Sequence, residues 1–121
     1  MVKAVLDTNI LIDYLNGRPA ARQELARYTH PAISVVTWME VMAGATPQTE
    51  PGTRAFLSGF DLLGIDPSTA EQAVQLRRAH RIKLPDAIVW ATARVHQALL
   101  VTRNSRDIDP SDPGVRIPYV I

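Results

Sequence analysis

Apolar residues recur along this chain in short runs and spaced sets. Lys3 to Leu6 is a brief apolar run of the kind a central strand needs, and Asp7-Thr8-Asn9 ends it. From Asn9 to Leu15 the apolar positions Ile10, Leu11 and Tyr14 take helical spacing, stopped by Asn16-Gly17. Pro19 to Tyr28 suits a second helix, with proline in its first turn. The β-branched stretch Ala32 to Val36 predicts a strand, and Thr37 to Ala45 a helix opened by Thr37-Trp38-Met39-Glu40, a capping-box pattern. Arg54 to Phe60 predicts a short helix and Leu62 to Ile65 a short strand. Asp66 should cap a helix running to about His80. Leu84 to Gln97 is apolar on nearly all sides, which predicts a buried helix. Leu99 to Thr102 predicts a strand, 103–114 a turn-rich loop, and Val115 to Ile121, with Pro118, an edge strand. Strands alternating with helices predict a three-layer α/β/α sandwich around a short, mainly parallel sheet, as a single domain over residues 1–121.

Composition narrows the function classes. Forty-six per cent of the 121 residues are apolar, enough for a real core. The net charge of +1 supplies no global attraction for nucleic acid, so any such attraction must be local. With no cysteine, disulfides, thiolate nucleophiles and thiolate metal sites are excluded. The longest stretch without charge, Tyr28 to Met39, is too short to span a bilayer, and the N-terminus lacks a signal-peptide apolar region. These features predict a soluble protein of the cytoplasm with no membrane partner.

The candidate chemistry lies in four acids: Asp7, Glu40, Asp86 and Asp107. Each sits near the end of a predicted strand or the start of a predicted helix. In a parallel α/β sheet those ends share one edge, where ligands bind. Each acid also has a plainer explanation. Asp7 can cap the following helix, Glu40 can close a capping box, and Asp86 can face a helix dipole. Asp107 lies in a polar loop with Asp109 and Asp112, where a solvated acid needs no special role. Together the four predict a carboxylate-lined pocket. At an effective dielectric of about 20 and about 5 Å, each pair repels by roughly 3 kcal/mol. Protons or a divalent cation must compensate, and Mg²⁺ or Mn²⁺ suits oxygen ligands of this kind.

Four segments carry a resemblance: Val5-Leu6-Asp7-Thr8-Asn9-Ile10-Leu11-Ile12, the stretch around Glu40, Leu84-Pro85-Asp86-Ala87-Ile88-Val89-Trp90-Ala91, and Val101-Thr102-Arg103-Asn104-Ser105-Arg106-Asp107. In this order they resemble the successive motifs of the PIN-domain family, and with the chain length they are most similar to VapC-type toxins of toxin–antitoxin modules. The resemblance implies a Mg²⁺- or Mn²⁺-dependent endoribonuclease that acts on RNA, forms a homodimer and is held by a VapB-like antitoxin. It puts Asp7, Glu40, Asp86 and Asp107 at the catalytic and metal-binding positions, with Thr102 and Asn104 in support. Asp109 stands as a substitute for Asp107, and Ile108 occupies a position where the family usually has an aromatic or apolar residue.

Arg103 and Arg106 are candidate contacts to substrate phosphate, or ion-pair partners for Asp107. The dense basic run Arg77 to Lys83 either completes a helix C-terminus or steers phosphate. Three histidines show no metal-ligand spacing, and no phosphate-binding glycine loop or serine nucleophile elbow occurs. A receiver domain would share the length and an acidic Mg²⁺ pocket. It would want adjacent acids after the first strand and a lysine after a late one, whereas the only lysines are Lys3 and Lys83. The remaining alternatives are a housekeeping PIN-type nuclease, or a catalytically silent PIN-like binding module.

Overall fold

The structure, a computed structural model, describes residues 3–121. The expectation of a leaderless N-terminus falls partly on Met1 and Val2, outside the described residues.

Five short parallel strands form one sheet in the order β3-β2-β1-β4-β5. In chain order the elements are β1 (Ala4–Leu6), α1 (Thr8–Leu15), α2 (Pro19–Leu25), β2 (Ala32–Ser34), α3 (Val35–Ala43), α4 (Glu50–Leu57), β3 (Asp61–Leu63), α5 (Pro67–His80), α6 (Leu84–Val95), β4 (Leu99–Val101) and β5 (Val115–Arg116). The expected α/β architecture is therefore present. From β1 the chain steps outward to β2 and β3, then returns across the sheet to β4 and β5. The direction of winding thus reverses between β1 and β4, which pair in register through Leu6 and Val101. A crevice for ligands forms at such a reversal, beyond the strands' carboxyl ends.

Strand alternation sorts the core into two clusters, one on each face of the sheet. Val5 and Leu100 point to the face covered by α5 and α6, where Ala73, Leu76, Ala87, Val89, Trp90 and Ile108 pack. Ala4, Leu6, Ile33 and Val101 point to the other face, with Ile10 and Leu11 of α1, Val41 of α3 and Leu57 of α4. The helix expected at Leu84–Gln97 is α6, and it buries Ala87, Val89, Trp90, Ala91, Thr92 and Ala93. Asp66 caps α5 as expected, accepting from the Thr69 backbone N–H at 2.8 Å. Among the described residues no helix is long and apolar enough to cross a membrane.

Several boundaries need correction: α4 spans Glu50–Leu57 where Arg54 to Phe60 was expected, β3 spans Asp61–Leu63 where Leu62 to Ile65 was expected, and one further shift bears on the site. The β-branched Val35 and Val36 were expected to extend the strand, and Thr37 to cap the next helix. Instead α3 begins at Val35, and its cap is Ser34, whose Oγ accepts from the Val36 N–H at 3.1 Å. Thr37 is fully buried inside the helix. Glu40 is therefore not at the third helical position, and the capping-box explanation for it fails. β5 is also shorter than expected, and Pro118 lies beyond it.

Ser34 is itself fully buried, so its capping bond has no water to replace it. Ser34→Ala should lower stability by about 1 kcal/mol, the usual cost of a lost N-cap. Urea unfolding followed by circular dichroism checks this, with a lower midpoint at unchanged slope as the expected result.

Candidate active site

Asp7 ends β1 and caps α1. Its backbone N–H donates to the Val101 carbonyl at 2.9 Å, which fixes the residue beside the end of β4. Its Oδ1 accepts from the Thr8 N–H at 2.7 Å, and its Oδ2 from the Thr102 hydroxyl at 2.7 Å. Asn9 Nδ2 lies 3.5 Å from the same Oδ2. The capping role expected of Asp7 is thus real, and it uses one oxygen. The side chain is nevertheless only 5% exposed. Burial pushes its carboxyl from the ordinary 3.8 up to about 6, with the negative charges of Asp86 and Glu40 adding to the rise; the hydrogen bonds from Thr102 and Thr8 oppose it.

Glu40 comes to the same edge from the middle of α3. The Thr8 hydroxyl donates to Glu40 Oε1 at 2.7 Å and lies 3.1 Å from the buried Thr37 hydroxyl. Asp86 stands in the first turn of α6, where the helix dipole favours it. Its carboxyl is nonetheless raised by partial burial, then by the charges of Asp107 and Glu40, with Lys83 opposing. Asp107 is held by Asn104: Asn104 Nδ2 donates to Asp107 Oδ2, and the Asp107 N–H donates to Asn104 Oδ1, both at 3.2 Å. The fully buried Ile108 plugs this loop into the core. Asp109 turns away to accept from the Ser111 N–H and hydroxyl. The charge that reaches Asp86 is that of Asp107.

The fold therefore brings Glu40 and Asp86 within electrostatic reach of Asp7, and Asp107 and Glu40 within reach of Asp86, at the sheet reversal. Thr102 and Asn104 sit beneath them. Arg106 is exposed and lines a polar recess of about 370 Å³ with Asn9, Arg103, Asn104, Ser105 and Asp107. The Arg103 guanidinium instead pairs with Asp13 through Nε at 2.7 Å and Nη2 at 3.1 Å. In the basic run, Arg77 and Arg78 lie in the last turn of α5, where helix-end cations belong, and Lys83 is the one that reaches the acids.

Sequence reasoning passed over Thr8, Thr37 and Asp13. A signal for Asp13 existed, since it lies three residues after Ile10 and so on the inward face of α1. An acid there needs a partner.

Among the described residues no three acids or histidines converge into a ready-made metal cage. Mg²⁺ does not require one, because it keeps several waters and binds through one or two carboxylates plus substrate phosphate. The donor set fits such an ion: oxygen ligands only, two with raised carboxyls, and their mutual repulsion uncompensated by any cation on Asp7.

The PIN domain family model matches residues 4–109. The chain belongs to the PIN-domain family, in its VapC branch. It is 31% identical to the tRNA(fMet)-specific endonuclease VapC of Shigella flexneri, over 90% of this chain and 92% of that one. It is likewise 31% identical to ribonuclease VapC19 of Mycobacterium tuberculosis, over 95% and 98% of the two chains. A toxin–antitoxin complex from Klebsiella pneumoniae contains a chain of the same fold, with a TM-score of 0.93 and 47% identity over 98% of this chain and 100% of that one. The DNA-bound VapBC of Salmonella typhimurium is similar at a TM-score of 0.77 and 26% identity, covering 97% of each chain.

The raised Asp7 carboxyl sets a pH signature for the metal-free protein. Below about pH 3.8 the group is protonated folded or unfolded and costs nothing. As pH rises towards 6 the unfolded chain releases the proton first, so stability falls, by roughly 3 kcal/mol in all for a shift of this size. Asp7→Asn removes that penalty, less whatever its hydrogen bonds lose. In EDTA the variant should melt at or above the wild-type temperature at pH 7, with the wild type gaining relative to it as pH falls to 4. A variant that melts well below wild type at pH 7 would contradict the burial penalty described.

Proposed function

We propose that this protein is a Mg²⁺- or Mn²⁺-dependent endoribonuclease and the toxin of a toxin–antitoxin pair. One observation carries the reading. Three acids are buried among the described residues: Asp7, Asp13 and Glu24. Asp13 and Glu24 each take a bidentate arginine, Arg103 and Arg116. Asp7 takes only hydroxyl and amide donors, and its charged neighbours are further acids. A buried carboxylate left so, with Glu40 and Asp86 beside it at a sheet reversal, is a seat for a cation.

Asp7 and Asp86 would hold the ion, directly or through water, with Glu40 completing the shell or orienting the attacking water, and Asp107 holding a second or weaker ion. Bound there, a divalent cation lowers the pKa of water and stabilises the leaving oxygen in phosphodiester hydrolysis. The chain's own residues do the rest. Thr102 and Thr8 orient Asp7, Thr8 also orients Glu40, and Asn104 presents Asp107. Arg106, which lines the polar recess, would meet substrate phosphate, while the Arg103 guanidinium pairs with Asp13. Water is the nucleophile, and no covalent intermediate is involved.

The partners follow from the same reading. The acidic groove accepts a cationic side chain from a VapB-like antitoxin tail, since an arginine fork pairs well with carboxylates. Exposed Met39, Ile12 and Leu15 supply apolar area for a second copy of the chain. The names of the VapC relatives, as ribonucleases, and of the Klebsiella and Salmonella assemblies support this assignment.

The purified protein should cleave single-stranded RNA with Mn²⁺ and not in EDTA, and Asp7→Asn should be inactive. Mn²⁺ should raise the melting temperature of wild type and not of Asp7→Asn. An equal shift in both would refute the metal site. Glu40→Gln should lower cleavage at least tenfold, about 1.4 kcal/mol of barrier, with melting almost unchanged; a fully active Glu40→Gln would remove Glu40 from the mechanism. Expression alone should arrest growth, and co-expression of a small neighbouring gene product should relieve it. A chain that cleaves RNA yet leaves growth untouched would instead be a housekeeping nuclease. Light scattering should give about twice the chain mass of 13.4 kDa.

A further inference from the structure

Three points along α1 hold consecutive residues of the segment after β4. Asp7 Oδ2 accepts from the Thr102 hydroxyl at 2.7 Å, and Asn9 Oδ1 accepts from the Arg103 N–H at 3.1 Å. One turn further along the helix, Asp13 takes the Arg103 side chain through both oxygens. Asp13 is 3% exposed, and its Oδ2 also accepts from the Tyr119 hydroxyl at 2.8 Å. The next residue, Asn104, donates its N–H to Thr102 Oγ1 at 3.0 Å and makes the two bonds that hold Asp107. Its carbonyl accepts from the Ile108 N–H.

We propose that Asp13, through Arg103, is a positioning residue for the reaction: the pair fixes the orientation of residues 102–108 against α1 and so sets where Asp107 stands relative to Asp7 and Asp86. The proposal rests on reading those three acids as the metal-binding set. Stability alone does not account for the pair. An ion pair between a buried acid and a partly exposed arginine gains little over apolar residues of similar volume, and an apolar residue at position 13 would suit the inward face of α1. What a planar guanidinium fork adds is direction, because two parallel hydrogen bonds fix the plane of the group as well as its distance. The fork joins a rigid helix to an irregular segment, and it adds the plane of a side chain to the tethers at Thr102, the Arg103 N–H and Ile108. Tyr119 contacts the carboxylate from the C-terminal segment and lies beside the Arg103 guanidinium, but supplies neither bond of the fork.

Arg103→Lys keeps the charge and loses the fork, and is the informative variant. The first readout is amide hydrogen exchange, which needs no catalysis. Protection at Asp107 and Ile108 should fall in Arg103→Lys while β1, β4 and α6 exchange as in wild type. The second is the Mn²⁺ concentration needed for half the thermal shift, which should rise. The third is kinetics on single-stranded RNA. The kcat should fall about tenfold to a hundredfold, the range expected when a reacting group is displaced by about 1 Å, with KM little changed. Tyr119→Phe leaves the fork in place and should keep kcat near wild type; a loss as large as that of Arg103→Lys would overturn the assignment to the pair. If Arg103→Lys does not fold, the double variant Asp13→Leu with Arg103→Met removes both charges, and loop protection should fall in the same way. Wild-type protection at Asp107 and Ile108 in the folded variant would refute the proposal. Failure of wild type to cut RNA would instead count against the nuclease reading, and exchange would still decide this one.

Discussion

A carboxylate buried without a cation is the constraint around which this molecule is arranged. Removing a charge from water is costly unless it is paired and hydrogen-bonded, and the fold meets that demand in two different ways. At Asp13 and Glu24 it supplies arginine forks, and Glu24 adds the Tyr28 hydroxyl at 2.6 Å. Burial works against ionisation of Glu24, yet the bonds from Arg116 and Tyr28 outweigh it, and the carboxyl is held below its ordinary value. Asp7 is treated oppositely. It has donors enough to be oriented, and too little positive charge to be satisfied, so its carboxyl rises. The contrast is internal to one protein, among groups of similarly low exposure, and it separates acids paired with arginine from one with no cationic partner among the described residues.

The sheet order explains why the unsatisfied acid sits where it does. Asp7 follows the central strand, and its neighbour β4 is the strand to which the chain returns after running outward through β2 and β3. No helix intervenes between β4 and β5; a loop does, and it carries Thr102, Asn104 and Asp107. A helix after β4 would have covered this edge. The loop leaves it open and is tethered at three points along α1 and by Ile108 in the core.

Much of this arrangement was legible in the residues, for identifiable reasons. Strands such as Ala4–Leu6 and helices such as α5 and α6 announced themselves by apolar runs, by helical spacing and by the Asp66 cap, all local signals. The gathering of four acids at one edge followed from the rule that strand ends and helix starts share a side in a parallel sheet. The start of α3 was not legible. Val35 and Val36 have the β-branched character of a strand, but the Ser34 hydroxyl and the burial of Val36 and Thr37 favour a helix, and tertiary packing overrode propensity. That two-residue displacement mattered, because it was the whole basis for reading Glu40 as a capping residue. The pairing of Arg103 was hidden for a different reason. Its partner Asp13 is 90 positions away, and no sequence pattern short of asking what buries an acid on the inner face of α1 would connect them.

Asp7 also shows why the structural and functional explanations of an acid need not compete. One oxygen caps α1 through the Thr8 N–H, and the other is taken by Thr102. The cap fixes the carboxylate plane relative to the helix, and the helix N-terminus offers it partial positive charge, part of what makes burial tolerable. That same helix start carries the Thr8 hydroxyl to Glu40. A residue recruited only to begin a helix could have been serine or asparagine with similar effect. Neither brings a charge into a pocket that already holds three acids, and a net negative pocket at a helix start is stable only to the extent that something positive enters it. The cap fixes the carboxylate, and the surplus charge is the physical basis of the proposed cation site.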